Sequence, residues 1–215
     1  MKWFTYIIPR IVLKTGSGYN RDIRVLMESG KYKLLVNGAR ESGAWVKGLW
    51  QGALRSFRIK TDPRVKNILV FGIAGGTVIH MLSELYPAAN IIGVDIDAVM
   101  IGVGKSYFGL SAIPHLTCVC RDAVSFAEKY KGRAFDMVVL DVYIGPDVPD
   151  FVLSAGFHTK VHHMISKGGK LIINYLRRPG YESRASALRK VLRSLYSRVI
   201  STDMQSNRFF LANSL

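Results

Sequence analysis

Several ingredients are scarce in this sequence. It has two cysteines in 215 residues, Cys118 and Cys120, too few for a disulfide framework. Their spacing in LTCVC turns both thiols to one face of a strand, where no ordinary disulfide closes. They read as reduced core residues of a cytosolic protein. Long apolar runs are missing too: MKWFTYIIPRIVLK is interrupted by Pro9 and Arg10, and no small-residue cleavage site follows. Neither a signal peptide nor a membrane span is expected. Acidic residues are the third shortage, with 15 Asp/Glu against 30 Lys/Arg and a formal net charge of +15. Residues 1–66 carry +10, residues 67–176 carry −1 and residues 177–215 carry +6. The middle is electrically ordinary. The flanks either bind nucleic acid or another acidic partner, or form a solvated basic surface.

What is present is an alternation. From Lys66 onward, apolar runs of strand length at 67–72, 90–95, 116–120, 135–141 and 169–175 are separated by amphipathic segments at 76–86, 97–108, 122–131, 150–166 and 181–195. This is the pattern of a parallel sheet with crossover helices. RVISTDM and RFFLANSL follow as a terminal hairpin that adds antiparallel strands. Ahead of it, IRVLMESGKYKLLVNGARESG holds β-rich runs broken at Glu28-Ser29-Gly30 and at Asn37-Gly38, both hairpin chemistry. The expected architecture is α/β: a small antiparallel β lobe over 1–60, then a Rossmann-like doubly wound domain over 61–215, joined near Thr61-Asp62-Pro63.

The stretch VFGIAGGT ends the first strand in a small-residue turn. A dinucleotide fingerprint needs small residues at Gly72, Ala74 and Thr77, and Thr77 fits poorly. The shorter spacing Gly72-x-Ala74-x-Gly76, with Gly75 between, suits an adenosyl-amino-acid ligand lying across the strand ends. Asp95, followed by Ile96, closes the second strand, where a carboxylate can accept both ribose hydroxyls. Asp122, followed by Ala123, follows the third strand, where it can meet an adenine amino group. The alternative for both aspartates is capping of the helices behind them. Asp141 ends the fourth strand, so four chemistry-bearing positions fall at strand ends, where open α/β sheets bind ligands.

VFGIAGGT, GVDIDAVMIGVGKSYFGL, CRDAVSF, FDMVVLDVYIGPDVPDFVLSAGFHTKV and SKGGKLIINYL, taken in order, resemble the spermidine synthase-like branch of class I S-adenosylmethionine-dependent transferases. SGYNRDIRVLMESGKYKLLVNGARESG resembles that group's front β lobe, and NRFFLANSL its terminal strand. The resemblance implies binding of S-adenosylmethionine or its decarboxylated form at Gly72, Ala74, Gly75, Gly76, Asp95, Ile96, Asp122, Ala123 and Asp141, and a homodimer. It also implies that Asp141 takes a proton from the attacking amine or orients it; the alternative is a structural carboxylate. Tyr143 joins Asp141 as a catalytic candidate, and Tyr143 and Gln51 stand as substrate-side wall residues.

Aminopropyltransferases of that group carry a second aspartate three residues after the one matched by Asp141, where this chain has Ile144. They also carry a Tyr-His-Glu element after the front lobe, where this chain has Leu49-Trp50-Gln51 or a neighbouring register. On that shortage of carboxylates, the expectation is methyl transfer to a small-molecule acceptor. The alternatives are aminopropyl transfer to putrescine and a cofactor-binding module without catalysis. His158 and His162 form an i, i+4 pair without a third metal ligand, and read as a solvated helix face. In LRRPGYESRASALRKVLRSLYSR the arginines form a basic face, or the leucines pack an amphipathic helix on the sheet.

Overall fold

The computed structural model describes residues 9–215. The apolar patch at the start of the chain lies mostly outside them. Four strands, β1 (Arg10–Thr15), β2 (Ile23–Glu28), β3 (Lys31–Val36) and β4 (Ala39–Arg40), form an antiparallel meander in chain order. Its turns fall where hairpin chemistry predicts them, with Ser29, Gly30, Asn37 and Gly38 all at positive φ. One face of the lobe, built from Ile23, Val25, Leu34 and Val36, packs on Met100 and Val103 of the main domain.

The main sheet has seven strands in the order β10-β11-β9-β8-β5-β6-β7. Its parallel strands are β5 (Asn67–Phe71), β6 (Asn90–Asp95), β7 (Leu116–Cys120), β8 (Phe135–Leu140) and β9 (Ile165–Leu176). The hairpin β10 (Arg198–Met204) and β11 (Asn207–Asn213) adds antiparallel strands beyond β9. Helices α4 (Ala123–Lys129), α5 (Ala155–His163) and α6 (Glu182–Leu195) contribute to the core on one face. Helices α1 (Ala44–Ser56), α2 (Thr77–Leu85) and α3 (Ala98–Tyr107) lie against the other, so the apolar central strands are covered on both sides.

Helix α1 departs from the sequence-based expectation, which gives residues up to 60 to the β lobe. Leu49, Trp50, Ala53, Leu54 and Phe57 recur with helical spacing and are buried in the main core, Trp50 edge-on to Phe209 at 4.9 Å. The lobe's strands therefore end at Arg40. The cysteines also differ: Cys118 is half-buried and Cys120 exposed, because β7 is an edge strand. His158 is fully buried rather than solvated, 2.7 Å from the carbonyl of Val152 through Nε2, and burial holds its pKa down to about 4, so it is neutral. Among the described residues no group of three or more His, Cys, Asp or Glu is placed to hold a metal ion. No described helix is long and apolar enough to cross a membrane.

Several cations of the basic C-terminal flank are engaged internally. Arg177 pairs with Asp203, Arg178 with Asp147, Arg184 with Asp150, and Arg208 with Asp203 and Glu182. Leu188 and Leu192 of α6 are buried against the sheet, while Lys190, Arg193 and Arg198 are exposed.

Candidate functional site

Strand order reverses at β5: the chain runs outward through β6 and β7, then returns to lay β8 on the other side of β5. Ligands of open α/β sheets bind beyond the carboxyl ends of the strands at such a switch point. A cleft of about 120 Å³ opens there. It is lined by Gly72, Ala74, Asp95, Ile96, Asp122, Ala123, Asp141 and Tyr143 among the sequence-predicted residues, and by Tyr19, Asn20, Val36 and Glu41 of the front lobe.

The glycine turn is shaped by the protein's own packing. Gly72 has φ 88° and Gly76 φ 69°, backbone that glycine adopts without strain. A β-carbon on Gly75 would sit 2.7 Å from Cβ of Ser42, and one on Gly76 would sit 2.3 Å from Cδ2 of Leu110. These two glycines therefore make room for the front lobe and for the segment after α3, and neither lines the cleft, contrary to their assignment as ligand-contacting positions. Asp95 braces the turn: Oδ2 accepts from Ile73 N at 2.8 Å and from Ala74 N at 3.4 Å, and Oδ1 accepts from Asp97 N at 2.9 Å. Burial pushes its pKa up, against the three backbone N–H groups that favour its charged form. The helix-capping alternative fails for Asp95 and holds for Asp122. Asp97 caps α3 through Val99 N at 2.9 Å, and Asp122 caps α4 through Ser125 N at 2.8 Å.

Asp97 has a second task. Its Oδ2 accepts from the Ser17 hydroxyl and, at 2.9 Å, from Nδ2 of Asn20, both in the β1–β2 loop. This carboxylate is almost fully buried and hooks the front lobe over the cleft. The same loop carries Tyr19, half exposed at the cleft wall.

Asp141 sits at the switch point itself. Its N–H donates to Phe71 O at 2.8 Å, continuing the β5–β8 ladder by one residue. Its Oδ1 accepts from Nδ2 of Asn174 at 2.9 Å; Oδ1 of Asn174 accepts from Nδ2 of Asn207 at 2.9 Å, and that same Nδ2 lies 3.3 Å from Oη of Tyr143. Oδ1 of Asn207 accepts from the Ser206 hydroxyl at 3.0 Å. The chain of donors has one direction, since each amide oxygen is met by the next donor and the last amide hydrogen points at Asp141. Burial raises the pKa of Asp141 to about 6, held back by the Asn174 bond and by the buried indole N–H of Trp50. That N–H has no partner in hydrogen-bonding geometry. Oδ2 of Asp141 has no hydrogen-bond partner among the described residues.

Glu41 is the residue that the sequence-based list lacks. It directly follows β4, and burial, then the charges of Asp141 and Asp95, raise its pKa to about 7. It lines the cleft; its N–H donates to Leu34 O at 3.0 Å, and its carboxyl has no hydrogen-bond or ion-pair partner among the described residues. Burial, then the charges of Asp141 and Glu41, push the Tyr143 phenol well above its ordinary range, so it remains an O–H. Gln51 is elsewhere. It lies on the exposed outer face of α1, one residue past the buried Trp50, and does not line the cleft. Its assignment as a substrate-side wall residue is corrected by the helical geometry of that segment.

Residues 50–194 match the family model described as spermine/spermidine synthase domain. The chain is 26% identical over 154 residues to a polyamine aminopropyltransferase of Vibrio vulnificus (strain CMCP6), covering 70% of this chain and 51% of that protein. It spans about half the length of the curated relatives it matches. Its fold is similar to that of the spermidine synthase from Thermotoga maritima, with TM-score 0.73 at 15% identity over 96% of this chain and 73% of that one. It is also similar to human methyltransferase-like protein 13 in complex with SAH, with TM-score 0.67 at 18% identity over 80% and 83% of the two chains. Strand order, cleft position and the family match agree, and this chain belongs to the spermine/spermidine synthase domain family.

Proposed function

We propose that this chain transfers an aminopropyl group from decarboxylated S-adenosylmethionine to a small amine. The observation that carries this reading is Glu41 beside Asp141 in the cleft. The expectation of methyl transfer rests on a shortage of carboxylates, and Glu41 supplies one that the sequence does not advertise. A cleft walled by Glu41, Asp95 and Asp141 favours a donor whose tail ends in an ammonium over one that also bears a carboxylate. The glycine turn agrees: the N–H groups of Gly72, Ile73, Ala74 and Gly76 bond to Val94 O, the Asp95 carboxylate and Ile73 O. Few donors are left there for a ligand's carboxylate.

The residues fit an adenosyl group by the same geometry. Ala74, Ile96 and Met100 offer apolar wall, Oδ1 of Asp95 retains an acceptor site beyond its single bond to Asp97 N, and Asp122 does so beyond its cap. The donor supplies an activated carbon next to a sulfonium. Asp141, through its open Oδ2, receives the proton that an incoming ammonium must lose, and Asn174 keeps the carboxylate aimed. With a pKa of about 6, Asp141 is ionised at neutral pH yet basic enough to take that proton. Glu41 faces the donor's ammonium. The front lobe, hooked down through Asp97, covers the reacting groups.

Two measurements test the reading. Calorimetric titration with S-adenosylmethionine and with its decarboxylated form is expected to show tighter binding of the decarboxylated form, by about tenfold or more. Incubation with the decarboxylated form and a primary amine is expected to release methylthioadenosine. Preference for S-adenosylmethionine, with methylated product and no methylthioadenosine, would establish methyl transfer instead.

A further inference from the structure

The cleft is lined by both carboxylates and apolar side chains. Of its carboxylates, Asp95 is engaged by backbone amides, Asp97 by α3 and the front lobe, and Asp122 by the cap of α4. Two further acids stand on the loop beyond Asp141, and arginines take both: Asp147 bonds to Arg178 and Tyr181, and Asp150 to Arg184 at 2.7 Å. Asp141 and Glu41 remain. Three residues past Asp141, lining the same cleft, Ile144 is 55% exposed, a large apolar side chain left open to solvent. Val142 and Phe151 line the cleft near it.

We propose, building on aminopropyl transfer as the reaction, that the acceptor is a primary monoamine with an apolar body rather than a diamine or longer polyamine. Charge matching leads to this. The acceptor nitrogen arrives as an ammonium and passes one proton to Asp141. Its lone pair then forms the carbon–nitrogen bond while the carbon–sulfur bond breaks, its electron pair staying on sulfur as a neutral thioether. Asp141 is thereby committed to the attacking nitrogen. Glu41 is committed to the ammonium of the donor's aminopropyl tail. A second ammonium on the acceptor would have no carboxylate left, and it would lose water against Ile144 and Phe151 without compensation. An alkyl or aryl end at the same place removes apolar surface from water on both sides.

The test compares two acceptors of matched length, n-pentylamine and putrescine, with the purified chain and decarboxylated S-adenosylmethionine. Methylthioadenosine is followed by chromatography and the new amine by mass. The expected result is kcat/KM higher for n-pentylamine by about tenfold or more, and a shift of that ratio toward putrescine by about tenfold in Ile144→Asp, a change at an exposed position that the fold tolerates. Putrescine equal or preferred in the unmodified chain, or a ratio unmoved in Ile144→Asp, would overturn the proposal. If neither amine releases methylthioadenosine, aminopropyl transfer itself falls, and the acceptor assignment is then read from calorimetry of the two amines in the presence of methylthioadenosine. Tighter binding of n-pentylamine supports it, and tighter binding of putrescine, or of neither, refutes it.

Discussion

A β-carbon on Gly72 would sit 1.9 Å from the carbonyl oxygen of Asp141. The ends of β5 and β8 thus meet backbone to backbone, and the position of the Asp141 carboxyl depends on a residue with no side chain at all. Replacing Gly72 with alanine forces the strand ends apart and places a β-carbon at φ 88°. The expected loss is about 3 kcal/mol or more in urea denaturation. A variant within ~0.5 kcal/mol of the unmodified protein would show that the ends do not approach this closely.

Asn174 orients and charges Asp141 without reaching the ligand's side of it. Removing that donor in Asn174→Ala leaves only the Trp50 indole to oppose burial, so the Asp141 pKa should rise above its present value, and Asn207→Ala should do the same more weakly by freeing Asn174 to turn. The carboxyl carbon resonance that disappears in Asp141→Asn reports this directly by NMR titration. A merely structural role for Asn174 would change stability and leave that titration where it is.

Stability should carry the mark of the same carboxyl. Its folded-state pKa is raised from 3.8 to about 6, so it contributes stability below the lower value that is lost as pH rises through the upper one. Asp141→Asn should therefore match the unmodified protein near pH 4 and exceed it by about 1–2 kcal/mol above pH 6, an allowance reduced for the carboxyl's partial exposure. Glu41→Gln should behave alike, with its upper edge near pH 7. Thermal melts from pH 4 to 8 decide it; equal curves throughout would contradict the burial of these groups.

Asp95→Ala should cost more than a ligand contact. It removes the acceptor for Ile73, Ala74 and Asp97 N–H groups as well as any bond to the donor's ribose. Expected are a loss of about 2–3 kcal/mol in binding of the adenosyl donor and about 1–2 kcal/mol in stability, read by calorimetry beside thermal melts. Unchanged affinity in a folded variant would remove Asp95 from the donor site.

Much of the main domain is legible in the sequence because its strands are continuous apolar runs, and buried parallel strands need nothing subtler. NIIGVD and LTCVC form strands over the residues that the runs delimit. The alternation is harder to read before Lys66. Gly43, Gly48 and Gly52 weaken the helical signal of α1, whose inward face is visible only once Leu49, Trp50, Ala53 and Leu54 are taken together. Glu41 is the instructive failure. In GARESG it looks like a solvated hairpin charge, and nothing local marks it as half-buried. Only the docking of the front lobe on α3 brings it over the switch point, a contact between Ile23, Val25, Leu34 and Val36 and the distant Met100 and Val103. Asn174 and Asn207 are hidden differently, each being an amide in a largely apolar strand whose partner lies on a different strand.

The acidic cleft lies in a molecule of formal charge +15, so a cationic substrate meets two opposing fields in turn. Within roughly a Debye length of the outer surface, ~8–10 Å at ordinary salt, the basic flanks repel it; at the cleft wall the carboxyls attract it. Added salt weakens both, and so acts in opposite senses on encounter and on residence: cations arrive sooner and leave sooner. Selection by charge is thus exerted after arrival, at the cleft wall where Glu41 and Asp141 stand, and not by the field of the whole molecule.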